Sequence, residues 1–220
     1  MSTKKDIPKS LKKIPTSPVE IVQDGDPVLR KKAALVPIEE ISSPKIQKII
    51  TDMVKALDSQ NDGVGIAAPQ IGHSLAIFAI SGQALERIDA AKNEDAVDKE
   101  NMPEKVNLKP TISIQGDVIK KKVYKNLVFI NPKIVKLSKE KKWMDEGCLS
   151  VRWLYGKVQR SIRATISAYD ETGKKFERGG GGILAHIYQH EVDHLNGTLF
   201  IDKAIDVEEI NPNEESEESK

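Results

Sequence analysis

The sequence predicts an α+β fold: antiparallel strands packed around a central helix, with an amphipathic helix nearer the N-terminus. Three observations predict it. Ile46, Ile49, Ile50, Met53, Val54 and Leu57 recur at helical spacing, the stripe of a helix that faces a core. Ile162, Ala164, Ile166 and Ala168 alternate with Arg163, Thr165, Ser167 and Tyr169, the pattern of a half-buried strand. Residues 189–197 read QHEVDHLNG, which sets two histidines one helical turn apart after a run of glycines.

The elements follow in order. Residues 1–17 carry Lys4, Lys5, Lys9, Lys12 and Lys13 among Ser and Pro and read as a flexible basic extension. The first helix starts at Ser43-Pro44, a cap residue followed by Pro at the first helical position. It stops before the turn residues Asn61-Asp62-Gly63. Residues 75–80 form a short apolar run suited to a buried strand. Residues 82–125 are highly charged and read as a mobile insertion, with a role at the rim of an active site as the second reading. A short hairpin is expected at 112–123. Residues 128–130 and 134–137 read as two strands about an Asn131-Pro132 turn. The strand from Ile162 turns at Asp170-Glu171-Thr172-Gly173 into a second strand at 174–177. The Gly179–Gly182 run then breaks the pattern before the last helix. Residues 206–220 hold Glu208, Glu209, Glu214, Glu215, Glu217 and Glu218 and read as a frayed acidic tail. The catalytic domain is therefore placed at 18–205.

Bulk properties narrow the function. A chain of 220 residues with 39% hydrophobic and 30% charged content fits one globular domain with a real core. Net charge is +1, so no general attraction to nucleic acid or anionic membrane is expected. No apolar run approaches the roughly 18 residues of a spanning helix, and the lysine-rich start lacks the apolar centre of a secretory signal. Cys148 is the single cysteine, which excludes an intrachain disulfide and suits a reducing compartment.

Residues four apart share a helix face, so His190 and His194 can hold one metal ion together. Glu191 then stands where it can take a proton from a water at that ion. A catalytic site of this kind usually takes a third protein ligand. His186 shares the face, but eight residues of helix rise about 12 Å, whereas two ligands of one ion lie only about 4 Å apart. His186 is therefore expected as a packed or hydrogen-bonded neighbour, and His73, after a turn glycine, at the surface. Cys148 is the best candidate, because a thiolate suits Zn²⁺ or Fe²⁺ and Gly147 beside it permits close backbone approach. Glu146 lies next to both. Gln70, in the segment GVGIAAPQ at 63–70, offers an amide donor to a developing oxyanion. Read alone, that segment is a turn leading to the next strand. Asp193 reads equally as a support for an imidazole and as a solvated helix charge. Arg160 and Tyr155 are expected at the rim, and Trp143 and Trp153 as packing residues.

Taken together and in order, GVGIAAPQ at 63–70, EGCLS at 146–150 and QHEVDHLNG at 189–197 resemble the peptide deformylase family over roughly residues 18–203. Ile66 stands where the family usually has Leu, and Arg152 where many members have Pro. The resemblance implies removal of the formyl group from the N-terminal formyl-methionine of nascent polypeptides. It implies Cys148, His190 and His194 as ligands of Fe²⁺, replaceable by Zn²⁺, Ni²⁺ or Co²⁺, and Glu191 as general base and acid. Gln70 and the Leu149 N–H become the oxyanion donors, and Gly65 a backbone contact to substrate. Transient proximity to the ribosome follows, in a bacterial-type cytoplasm or an organelle, without direct nucleic-acid or membrane binding. Two alternatives stand: another HExxH metallohydrolase, and a non-catalytic peptide-binding relative. After His194 no histidine remains and the first glutamate is Glu208, which leaves no ready third ligand of the metallopeptidase type.

Overall fold

A computed structural model of the protein describes residues 19–97 and 124–210. The basic extension at 1–17, the hairpin at 112–123 and the tail beyond 210 lie outside these residues. Helix α1 spans Pro44–Asp58. Ser43 Oγ accepts from Ile46 N at 3.4 Å with Pro44 at the first position, the expected cap. Its apolar stripe, Ile46, Ile49, Ile50, Met53, Ala56 and Leu57, is buried.

Strands β1 (Gly65–Ala67), β2 (Ile77–Ile80), β3 (Leu127–Leu137), β6 (Arg163–Tyr169) and β7 (Lys175–Gly181) form one antiparallel sheet in the order β1-β2-β3-β6-β7. Helix α3, Ile183–Leu195, covers one face, where Leu184, Ala185, Ile187 and Tyr188 meet Phe78, Ile80, Phe129 and Ile166. Helix α1 covers the other face, against Ile66, Ile77, Ala79, Val128 and Ile130. Alternate residues of β2 thus enter opposite cores, which is why its sequence is a continuous apolar run rather than an alternating one. A second sheet, β4 (Lys141–Cys148), β5 (Val151–Ser161) and β8 (Ile205–Glu209), is antiparallel in the order β4-β5-β8. The architecture is α+β, as the sequence predicts.

Four expectations need correction. Residues 128–137 are one strand, not two: the register with β6 shifts between Ile130 and Lys133. Pro132, lacking an N–H, is accommodated in that bulge. Asn131 adopts φ 52° there, and its amide accepts from Val36 N at 2.8 Å and donates to Val36 O at 2.7 Å. The glycine run does not end its strand, since β7 continues to Gly181. A Cβ at Gly180 would lie 2.9 Å from both Leu184 and Tyr188 side chains, so glycine lets α3 lie directly on the strand. The first part of the charged insertion is a helix, α2, Gly82–Val97, anchored by buried Ala84 and Leu85 and by Gly82 N donating to Asn126 Oδ1 at 2.6 Å. Finally, 205–209 is strand β8, paired with β5 through Leu154↔Glu209, Tyr155↔Glu208 and Lys157↔Ile205, so the start of the expected tail belongs to a sheet.

Candidate metal centre

Helix α3 presents His190 and His194 from one face, their ring centroids 4.9 Å apart. Cys148, the last residue of β4, faces them, with Sγ 3.2 Å from His194 Nε2. One donor atom from each of Cys148, His190 and His194 lies within 4.8 Å of the others. That is close to the span of about 4 Å that two ligands of one ion subtend. The structure brings Cys148 beside both histidines, while His73 is exposed and His186 turns elsewhere.

His186 turns to Glu146. The Glu146 carboxylate lies 2.6 Å from His186 Nε2 and 2.8 Å from His190 Nδ1. It also accepts from Arg160 Nε at 2.6 Å and Nη2 at 3.1 Å. With Nδ1 held, Nε2 of His190 is the atom left to ligate. Arg160 is not at the rim. Its side chain is 5% exposed, and Nη1 donates to Asp193 Oδ2 at 2.6 Å. Asp193 in turn accepts from Lys203 Nζ at 2.7 Å. Asp193 is thus the support for a histidine rather than a solvated charge, acting through Arg160 and Glu146. Sequence reasoning missed this chain of contacts; the only signal for it was Glu146 beside the Cys motif.

Burial works to raise the Glu146 pKa, but hydrogen bonds from His186, His190 and Arg160 outweigh it and hold the group far below the carboxylate range. Burial likewise raises the Cys148 thiol, yet the charge of His194 and hydrogen bonds to both histidines bring it down to about 5. Burial disfavours charge on His190, but hydrogen bonds to Cys148 and Glu146 lift its pKa well above the imidazole value. The pocket therefore favours positive charge at the point where Cys148 and His190 meet. A thiolate with two imidazoles, one oriented by a carboxylate, fits a divalent transition metal.

Glu191 is 2% exposed. Its pKa is pushed up to about 7, chiefly by burial, with His190 and His194 opposing. Its Oε2 has no hydrogen-bond partner among the described residues. Gly65 explains how the carboxylate fits: a Cβ there would lie 3.0 Å from Glu191 Cδ and nearer still to Oε1. Gln70 is buried in the 3-10 turn Ala68–Ile71. Its Oε1 accepts from Ala67 N at 2.8 Å, and its Nε2 donates to Ser150 Oγ at 3.2 Å and lies 3.5 Å from Cys148 Sγ. Gly65, Gln70, Cys148, Leu149, His190 and Glu191 line one cleft of about 270 Å³. Tyr155 also lines the cleft, and a Cβ at Gly147 would lie 2.7 Å from its ring. Trp143 and Trp153 are 51% and 38% exposed, contrary to the packing expectation, and Trp153 lines the cleft.

The family model for polypeptide deformylase matches residues 18–209. The chain is 37% identical over 186 residues to peptide deformylase 1A, chloroplastic/mitochondrial, of Arabidopsis thaliana, covering 84% of this chain and 61% of that protein. It is 36% identical to peptide deformylase 1A, chloroplastic, of Solanum lycopersicum, covering 84% of this chain and 58% of that one. The chain thus spans about six-tenths of these two plant relatives. It is also 32% identical to a peptide deformylase of Desulforudis audaxviator, covering 84% of this chain and 92% of that one. Its fold is similar to that of a class I type b peptide deformylase of Acinetobacter baumannii solved with Met-Ala-Ser bound (TM-score 0.62, 27% identity, 84% of this chain and 97% of that one). With its motifs gathered in one cleft and its length matched almost throughout, the chain belongs to the polypeptide deformylase family.

Proposed function

We propose that the protein is a metal-dependent hydrolase that removes the N-formyl group from the N-terminal formyl-methionine of newly synthesised polypeptides. The observation that carries this reading is the convergence of Cys148, His190 and His194 donor atoms at a cleft lined by Cys148, His190 and the buried Glu191, in a chain of this family. The Acinetobacter baumannii relative was solved with Met-Ala-Ser, a peptide of the class such a reaction releases.

Cys148 Sγ and the Nε2 atoms of His190 and His194 would hold the ion, a donor set suited to Fe²⁺ and also to Zn²⁺, Ni²⁺ or Co²⁺. Held there, an ion would supply Lewis acidity to polarise the formyl oxygen and to bring the pKa of a water toward neutrality. Glu191 carries the proton. Its unpartnered Oε2 takes the proton from the attacking water, and a pKa near 7 suits its return to the leaving amine. Gln70 Nε2 and the Leu149 N–H would donate to the oxyanion that forms at the formyl oxygen as water adds to the carbon, and losing one such donor costs on the order of 10² to 10³ in rate. Strand β1 is an edge strand and its buried Gly65 lines the cleft, so the main chain there would serve an extended peptide laid along that edge. A formyl carbon bears only hydrogen, which lets a narrow cleft admit it and exclude bulkier acyl groups.

The partners are nascent N-formylmethionyl chains, met in transient proximity to the ribosome. The compartment is one that starts synthesis with formyl-methionine, a bacterial-type cytoplasm or an organelle; the two plant relatives carry organellar names. No described helix is long and apolar enough to cross a membrane. The test is formate release from formyl-Met-Ala-Ser by anaerobically purified Fe²⁺ protein. Release by the wild type and not by Glu191→Ala is expected; no release at one bound ion per chain would overturn the reading.

A further inference from the structure

A bulge in β5 shapes the mouth of the cleft. Gly147 pairs with Tyr155, but its neighbour Cys148 pairs with Val151. Arg152, Trp153 and Leu154 are left without partners on β4, and all three line the cleft. Bulges beside active sites commonly re-aim side chains. Here Arg152 is aimed across the mouth: Nη1 donates to Asp62 Oδ2 and Nη2 to Gln60 Oε1, each at 2.7 Å. Asp62 and Val64 line the same cleft. The same guanidinium lies 5.1 Å from the Trp153 ring centroid, within cation–π range. Trp153 is thus held in one pose while more than a third of it stays open to solvent.

A large apolar ring that is both fixed and open is the kind of surface on which binding energy concentrates. We propose that Trp153, held by the Arg152 clasp, is a platform for a large apolar or aromatic side chain of the substrate downstream of formyl-methionine. The formyl group must reach the buried end of the cleft, at Glu191 and Cys148. The rest of the peptide leaves by the open side, where Trp153 stands. Arg152 stands where many family members have Pro, and the clasp gives that departure a use. The inference rests on the deformylase reading. Ring–ring contact of this kind is worth about three- to tenfold in kcat/KM.

The test compares kcat/KM for formyl-Met-Ala-Ser, formyl-Met-Phe-Ser and formyl-Met-Ala-Phe, using Fe²⁺-loaded wild type, Trp153→Ala and Arg152→Ala. The wild type is expected to favour one of the Phe peptides about three- to tenfold, Trp153→Ala to treat all three alike, and Arg152→Ala to keep only part of the preference. Equal values for the wild type, or an undiminished preference in Trp153→Ala, would overturn the proposal. A second arm needs no turnover. Trp143→Phe leaves Trp153 as the sole tryptophan, and its emission is followed during titration with Met-Ala-Phe and Met-Ala-Ser. A shift at lower concentration of the Phe peptide supports the platform even if no formate is released, an outcome that would sink only the deformylase reading. Identical titrations would refute the platform.

Discussion

Glu146→Gln tests the support of the metal centre with almost no change in volume. The carboxylate faces four donors: Arg160 Nε and His186 Nε2 at Oε1, Arg160 Nη2 and His190 Nδ1 at Oε2. Gln keeps one acceptor oxygen and turns an NH₂ toward the other two donors, so in either orientation two contacts become donor against donor. Each unsatisfied buried donor costs about 1–3 kcal/mol, and breaking a buried ion pair costs about 3–5 kcal/mol. Both side chains of the Arg160 pair are almost fully buried, so solvent screening gives little relief. A loss of about 3 kcal/mol of stability is expected, roughly 10² in the folding equilibrium, measured by urea unfolding of the chelator-treated protein. Metal affinity, measured by chelator competition, should fall about 10- to 100-fold, as for other partners of ligand histidines. There is also a pH signature. The folded pKa of Glu146 lies below its unfolded value, so its contribution is full above about pH 5 and is lost progressively as pH falls. The difference in stability between wild type and variant should therefore shrink with acidification. A variant within about 0.5 kcal/mol of wild type, with unchanged metal affinity, would refute the reasoning.

Three further outcomes follow from the same geometry. Gly65→Ala puts a methyl into the Glu191 carboxylate; kcat/KM should drop at least about tenfold, with stability lowered by about 1–3 kcal/mol for overpacking, whereas full activity would contradict the placement. Glu191→Gln should stabilise the chelator-treated protein at pH 8 by on the order of 2 kcal/mol and leave it unchanged near pH 4. A carboxyl raised to about 7 by burial binds more protons folded than unfolded, so stability falls as pH rises from about 4.3 to 7; urea midpoints at the two pH values decide it. Metal uptake at pH 6.5 should release protons, because the His190 pKa is raised and a ligand imidazole must be neutral; calorimetry in buffers of different ionisation enthalpy reads the number, and zero release would count against the protonated state.

Parts of the fold were legible where one face of an element is buried and the other wet. Helix α1 and strand β6 announce themselves by period, and Ser43 and Asp170 mark where the chain turns. The β4–β5 hairpin was not legible. Its inward positions include Glu146 and Arg160, and a pattern read by polarity assigns such residues to solvent. Strand β8 was missed for a different reason: all five of its residues are exposed and it is fixed by backbone pairing to β5, so the brief alternation of Ile205 and Val207 marks no buried face. Among the described side chains of helix α2, Ala84 and Leu85 near its start are the buried apolar ones, so its charge outweighed its period.

The site divides along the same line. Ligand types at fixed spacing can be read from a chain, because the chemistry resides in the side chain itself. The residues that orient them cannot, because their value comes from what they meet: Arg160 meets Glu146 from 14 positions away and Asp193 from 33. Yet the charges make one argument together. With His190 and His194 neutral, the thiolate of Cys148 and the carboxylates of Glu146, Glu191 and Asp193 stand against two cations, Arg160 and Lys203, which pair with Glu146 and Asp193. The deficit matches a divalent ion. Without one, protons supply the difference, and His190 and Glu191, both lifted above their ordinary values, are the places that take them. The raised pKa values and the ligand geometry are thus two expressions of one charge balance, and the buried network of Glu146, Arg160 and Asp193 sets where that balance falls.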